Sequence, residues 1–373
     1  MRLIHLADLH LDSKLNSNFN REQSRERRSE LLNNFSRLID FAVERDVDAI
    51  LIAGDLFDTG FVSAIARNYV ENQIRNNIAI DFYYLKGNHD GAELFKDSGV
   101  PVNYHDFSNE WRSYELTDGR KVSKRIVLSG VEIPRVNGSK IYSALRLDES
   151  CINIVMLHGQ LNYGKGSDNA NVIPMNELEN RGIDYLALGH IHKYKKERLD
   201  VRGVYCYPGC LEGRGFDECG EKGFVLINID EYSGCVESEF VPFAKRTLYE
   251  PVIDVSKANN SAEIIDIIEA YLKNEYIKEN SLVKIRIVGE LDINCELDIH
   301  FVKKHFENRF YYVKLSNETE YKIDIEKYMM DDSLKGEFVR LVMAATDIDK
   351  EDKTRIIRYG LRAIDGEEII GCI

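Results

Sequence analysis

The sequence predicts an α/β protein: two packed sheets flanked by helices, then a small α/β capping unit and a C-terminal helical tail. Three observations carry this reading. Strand-like and helix-like segments alternate as β-α-β-α-β up to Leu85. From about Arg125 the pattern shifts to short strands, which implies a second sheet packed on the first. After the interval 242–251 a new run of strands and helices begins and ends in two amphipathic helices. The chain of 373 residues exceeds the roughly 100–200 typical of one domain. The expected segments are 1–245, 246–325 and 326–373.

Each element follows from its pattern. Residues 2–7 read as a buried strand. Leu31, Leu32, Phe35, Leu38, Ile39 and Ala42 recur at helical spacing within 23–44. The apolar run 49–53 ends at Gly54 and reads as a strand; 63–76 reads as helix and 80–85 as strand. Short strands are expected at 125–131, 152–157, 185–187, 204–207, 224–229 and 236–241, with one helix near 174–180. In the capping unit, strands at 252–255, 282–288 and 310–315 enclose helices at 261–274 and 299–306. The tail helices, 333–345 and 350–364, carry apolar stripes through Phe338, Leu341 and Val342, and through Ile357, Leu361 and Ile364.

Composition narrows the class. Hydrophobic residues make up 44% and charged residues 30%, ordinary values for a globular protein. No run of 18 apolar residues occurs, so no membrane helix is expected. The apolar start is too short for a signal peptide and is followed by Asp8. The cytoplasm is the expected location. Seven scattered cysteines, an odd number, fit reduced thiols. A net charge of −14 argues against nucleic acid as a partner. Bound divalent cations would invert the local field at an acidic site, which weakens that objection. The acid-rich stretch 318–352 reads as solvated surface.

Five short segments carry chemistry: Asp8-Leu9-His10, Gly54-Asp55, Gly87-Asn88-His89-Asp90, His158-Gly159 and Gly189-His190-Ile191-His192. Each follows a predicted strand, where α/β folds place their ligand sites. In extended chain, residues i and i+2 face the same way, so Asp8 with His10, and His190 with His192, can converge. Imidazole, carboxylate and amide oxygen without thiolate suit Mn, Fe or Zn. Any one segment alone is more often structural. All five in order, each behind a strand, make a metal site the stronger reading.

This ordered set resembles the calcineurin-like metallophosphoesterase superfamily. Within it the chain is similar to the SbcD-type DNA repair exonucleases, especially their YhaO-like branch. The resemblance rests on Ala7-Asp8-Leu9-His10-Leu11-Asp12-Ser13, Ala53-Gly54-Asp55-Leu56-Phe57-Asp58-Thr59-Gly60 and Leu85-Lys86-Gly87-Asn88-His89-Asp90. Tyr207-Pro208-Gly209-Cys210-Leu211-Glu212-Gly213-Arg214, Gly220-Glu221-Lys222-Gly223-Phe224 and the stretch 333–340 add to it. It implies a two-sheet metallophosphoesterase sandwich and two divalent ions, with Mn²⁺ favoured. One ion would take Asp8, His10, Asp55 and His192; the other Asp55, Asn88, His158 and His190. His89 would be the catalytic histidine. The sequence departs from archaeal and eukaryotic members at Asp58, where they often carry histidine.

The implied activity is 3′→5′ exonuclease and single-strand endonuclease action on DNA. The implied partners are DNA, an SMC-like ATPase of the SbcC/YhaN type and a second copy of the chain. The tail would dock the ATPase through Phe338, Leu341, Val342, Leu361 and Ile364. Packing on the protein's own body is the alternative for these helices. Arg214 and Lys222 are candidate phosphate or DNA contacts. Arg21, Arg25, Arg27 and Arg28 read as a solvated helix face rather than a DNA patch. Trp111 and Tyr114 read as packing. Cys206, Cys210 and Cys219 match no zinc spacing. Two other functions stay open: a phosphatase or phosphodiesterase on small molecules or phosphoproteins, and a weakly active DNA-binding subunit. The cap and tail favour the nuclease; the intact ligand set disfavours an inactive subunit.

Overall fold

The computed structural model describes residues 1–15, 19–58, 62–91, 93–95, 99–117, 124–132, 139–162, 171–292 and 295–364. Thr59 and Gly60 of the second motif, and the last part of the tail, 365–373, lie outside the described residues. The chain divides into two compact units: Met1–Tyr249 with Asn280–Leu282, and Glu250–Glu279 with Val283–Ile373. Most of the segment expected at 246–325 and all of 326–373 therefore fall in the second unit.

The first unit holds two six-stranded sheets. One sheet contains β1 (Arg2–Leu6), β2 (Ala49–Ala53), β3 (Asp81–Leu85), β4 (Tyr104–Asp106), β13 (Gly223–Asp230) and β14 (Cys235–Pro242), in the order β14-β13-β1-β2-β3-β4. The other contains β5 (Arg112–Leu116), β6 (Ile126–Gly130), β7 (Ile152–His158), β10 (Tyr185–Gly189), β11 (Lys195–Arg198) and β12 (Val204–Tyr207), in the order β11-β12-β10-β7-β6-β5. A two-stranded ribbon, β8 (Gln160–Asn162) with β9 (Val172–Pro174), stands apart. A short helix, α3 (Ser139–Ser143), precedes β7, and the two-residue β15 (Leu248–Tyr249) follows β14. The strands expected at 224–229 and 236–241 belong to the first sheet and not the second. β13 returns antiparallel onto β1, pairing Ile4 with Leu226. The helix expected near 174–180 is a single 3-10 turn, Met175–Glu177.

Alternation along the strands builds the layers. In β2, Ala49, Leu51 and Ala53 join Ile154, Met156 and Tyr185 in a core between the sheets. Ile50 and Ile52 face the opposite way, into a core with Leu31, Phe35 and Leu38 of α1 (Arg21–Glu44) and Val70 and Ile74 of α2 (Ala64–Asn76). Asn20 caps α1 reciprocally with Gln23, satisfying backbone donors that a bare helix start leaves open. Trp111 gives its indole N–H to the Ile141 carbonyl (2.8 Å) and packs on the outer core of the second sheet.

Arg27 corrects the reading of a solvated arginine face. Arg21 and Arg25 are exposed, but Arg27 is fully buried. Its guanidinium reaches Glu30 (2.5 Å), Glu212 (3.0 Å) and the Gly213 carbonyl (2.8 Å). Arg246 closes the network on Glu30 at 2.7 Å. Burial pushes the Glu30 carboxyl up, but bonds from Arg246, Lys245 and Arg27 outweigh it and hold the group at about 2. A depressed folded-state pKa adds stability that is present above the ordinary value near 4.5 and is lost as pH falls toward 2. Glu30→Gln should cost about 3–5 kcal/mol at neutral pH, because it leaves buried arginines short of a counter-charge. Denaturant unfolding should show the gap from wild type narrowing as pH drops through that window.

In the second unit, β16 (Val252–Asp254) pairs parallel with β17 (Leu282–Leu291), which also pairs β18 (Tyr312–Tyr321). Helices α4 (Ser261–Asn274) and α5 (Ile299–Phe306) pack with them, both starting at side-chain caps, Asn260 and Asp298. The tail folds as α6 (Ile325–Met329), α7 (Leu334–Ala344) and α8 (Lys350–Ile364). Val339, Ile357 and Leu361 form a small core with Phe338 and Val342 against it, so these anchors pack on one another. Leu341 and Ile364 remain exposed. Among the described residues no helix is long and apolar enough to cross a membrane. The six described cysteines form no disulfide with one another.

Candidate metal centre

The five chemistry-bearing segments meet at the ends of β1, β2, β3, β7 and β10. Two loops run side by side to bring the first ligands together. Asp8 N donates to the Gly54 carbonyl (3.0 Å) and His10 N to the Asp55 carbonyl (3.0 Å). The Asp8 carboxylate accepts from the backbone of His190 at 2.9 and 3.0 Å, tying the first sheet's ligands to the second's. Asp55 Oδ1 accepts the His89 backbone N–H (2.8 Å), which seats the Asn88-His89 turn.

Backbone geometry is strained where the ligands sit. Asp8, His10, Asp55 and His190 all have left-handed φ, at 53°, 44°, 53° and 98°. Such conformations cluster at functional sites because surrounding bonds must enforce them. Gly54, at φ 91°, must be glycine for a second reason: a Cβ there would run into the His158 ring and lie 2.9 Å from Gly87 Cα. Gly54→Ala should therefore lower metal uptake as well as stability, read by metal analysis and thermal melting of the purified protein.

The side chains converge. His10 Nε2 lies 3.3 Å from His192 Nε2 and 3.8 Å from Asp55 Oδ2. His158 Nε2 lies 3.0 Å from Asn88 Oδ1 and 3.4 Å from the same Asp55 oxygen. His190 Nδ1 is 3.1 Å from Asn88 Oδ1. Asp55 Oδ2 thus stands between the two groups of imidazoles. Asp8, His10 and His192 satisfy the geometry of a metal-holding group, as do Asp8, Asp55 and His158. All seven predicted ligands are brought together.

The donor set fits divalent cations. Two imidazole nitrogens facing each other at 3.3 Å, beside two buried carboxylates, place lone pairs and negative charge around shared points. His158 Nδ1 donates to the Ala53 carbonyl (2.9 Å), leaving Nε2 to face the centre. Burial raises Asp8 to about 7, offset in part by His158 and His192. Burial also works to raise Asp55, but the His158 hydrogen bond outweighs it and brings the group to about 2. His158, pushed down by burial, is carried up to about 9 by Asp55. Protons compensate the acids where cations otherwise would, and metal binding displaces such protons.

His89 lies at the rim, its side chain 38% exposed, with Nδ1 3.7 Å from Asp58 Oδ1. Asp58 also approaches His10 Nδ1 (3.6 Å) and accepts from Ser13 Oγ (2.8 Å). Arg214 reaches the site, but its guanidinium binds Glu218 at 2.8 Å and stands 3.4 Å from His192 Nδ1. Lys222 differs from the expected phosphate contact. It is buried, and its ammonium donates to the His192 carbonyl at 2.7 Å, so it braces a ligand loop. Glu218 escaped the sequence reading, and Asp90 entered it only as part of its motif, without a role. Asp90 accepts from Phe57 N (3.0 Å) and Gly87 N (2.9 Å), locking two ligand loops together.

Residues 1–194 match the calcineurin-like phosphoesterase family. The chain is 30% identical over 298 residues to YhaO, a metallophosphoesterase of Bacillus subtilis (strain 168), covering 77% of this chain and 71% of that protein. It is also similar to the solved structure of TT1561 of Thermus thermophilus, with TM-score 0.37 and 15% identity over 64% of this chain and 98% of that one. A dimetal phosphatase from Danio rerio matches with TM-score 0.39 and 10% identity, over 65% of this chain and 99% of that one. With that family match and that relative, the chain belongs to the calcineurin-like metallophosphoesterases, a family of metal-dependent phosphoric-ester hydrolases.

Proposed function

We propose that the chain is a cytoplasmic, Mn²⁺-dependent DNA nuclease that works with an SMC-like ATPase. The supporting observation is the centre itself: the seven predicted ligands converge, Asp8, His10 and His192 as well as Asp8, Asp55 and His158 have metal-holding geometry, and the half-open imidazole of His89 stands beside them. Two divalent ions held there would activate a water for attack and neutralise charge on the phosphate. His89, whose Nδ1 stands 3.7 Å from Asp58, would protonate the leaving oxygen, the work of a general acid. The His192 side chain is also partly open at 30%, so the site meets solvent at its rim, as an extended strand requires. The likeness to YhaO spans 298 residues and so extends past the first unit into the second. A small-molecule phosphatase has no need of such an added unit. The exposed Leu334 and Leu341 of α7 are apolar surface for a partner.

The test is incubation of the purified chain with labelled single- and double-stranded DNA and Mn²⁺, beside a generic phosphomonoester. DNA cleavage that chelator abolishes is the expected result. Turnover of the monoester alone would make the chain a phosphatase. Leu341→Glu should leave cleavage of single strands intact and weaken co-purification with the cognate ATPase.

A further inference from the structure

We propose that Glu218 is the positioning residue for His192, and that through it one of the two ions is held more tightly than the ligands alone would hold it. This rests on the metal-centre reading above. Glu218 lies in the 3-10 turn Phe216–Glu218, well after the last ligand in sequence. Its Oε1 is 2.7 Å from His192 Nδ1. A carboxylate can only accept, so Nδ1 carries the proton and the Nε2 lone pair faces His10 and Asp8, at 3.3 and 4.0 Å.

The carboxylate is itself fixed. It is buried, and its Oε2 accepts the Arg214 backbone N–H at 2.7 Å. Arg214 Nε and Nη2 reach Oε1 at 3.3 and 2.8 Å. From the other side, Lys222 and Cys210 grip the His192 carbonyl at 2.7 and 3.7 Å. His192 is thus held at both ring and backbone by the stretch 210–222. The other imidazoles are backed differently. His158 leans on a neutral carbonyl, and His10 Nδ1 stands 3.6 Å from Asp58, a looser approach than the 2.7 Å of Glu218. A hydrogen-bonded carboxylate raises the basicity of a ligating histidine and fixes its ring, and losing such a partner typically costs roughly 10–100-fold in metal affinity. The two metal positions are therefore unequal, and the one served by His192 depends on Glu218.

The experiment is calorimetric titration of the chelator-stripped full chain with Mn²⁺, for wild type, Glu218→Ala and Glu218→Gln. Wild type should bind two equivalents. Both variants should keep one equivalent at wild-type affinity and weaken the other by roughly 10–100-fold. Glutamine is included because it preserves shape yet cannot satisfy both neighbours. Its amide nitrogen must face either the Arg214 N–H, as donor against donor, or His192 Nδ1, which would move the ring proton to Nε2. If alanine disrupts folding, the isosteric variant carries the test. The visible spectrum of Co²⁺-loaded protein gives a second readout, and it should change in the variants at one equivalent only. Two unchanged equivalents in both variants would overturn the proposal, as would equal weakening of both ions in a folded variant. Fewer than two equivalents in wild type would overturn the metal centre itself, and the inference with it; that outcome is read on the wild type alone.

Discussion

Asp55→Asn is expected to leave fewer than two metal equivalents on the protein and to lower turnover by about 10³-fold or more, beyond the roughly 10–100-fold typical of losing an outer-shell partner. The reason is the position of one oxygen. Asp55 Oδ2 is 3.4 Å from His158 Nε2 and 3.8 Å from His10 Nε2, so both halves of the centre share it. Asparagine keeps the volume and can keep the bond from the His89 backbone to the remaining oxygen. It removes the charge, however, and turns an N–H₂ toward nitrogens whose lone pairs face the centre. Metal analysis of the purified variant and a DNA cleavage assay with Mn²⁺ check this together. Wild-type turnover with both ions retained would show that Asp55 does not bridge.

His89→Ala should separate chemistry from metal binding. Losing a general acid lowers kcat by on the order of 10²–10⁴-fold. Metal content should stay at two equivalents, because this turn meets the centre through the Asn88 side chain and the His89 backbone N–H to Asp55, both of which alanine preserves. The half-open side chain stands 3.7 Å from Asp58 and meets the His10 ring edge-on at 5.1 Å, contacts at the rim rather than in the core. Metal analysis beside steady-state kinetics decides the matter. Loss of an ion would show His89 to be a ligand.

The candidate ligands stood out in the sequence because each sits within a few residues of a strand end, and strands of apolar residues announce themselves locally. β2 is a continuous apolar run, β7 carries Ile154-Val155-Met156-Leu157, and α4 and α5 match the expected bounds 261–274 and 299–306 at both ends. What was not legible depends on partners far along the chain. β11 reads Lys-Lys-Glu-Arg and is exposed throughout, so no pattern marks it as a strand. β13 and β14 look like continuations of the second sheet, yet pairing with β1 places them in the first. Arg27 carries no sign that it is buried; only the carboxylates of Glu30 and Glu212 make that tolerable. Lys222 and Glu218 sit in a loop that reads as phosphate-binding until His192 is found between them.

The return of β13 onto β1 has a consequence for how the enzyme is made. The central strand, β1, bonds to β2 on one side within the first 53 residues of chain. Its other edge waits for residues 225–228. A nascent chain that has just exposed His192 carries every predicted metal ligand, yet its core strand still presents an unpaired edge, the kind of surface that recruits other chains. At roughly 5–20 residues per second, completing β14 at Pro242 takes a few seconds more. Glu218 and Lys222 arrive in that same interval. Metal capture and closure of the sheet should thus mature together late in synthesis, and chains cut between 192 and 223 should aggregate rather than accumulate as a smaller active enzyme.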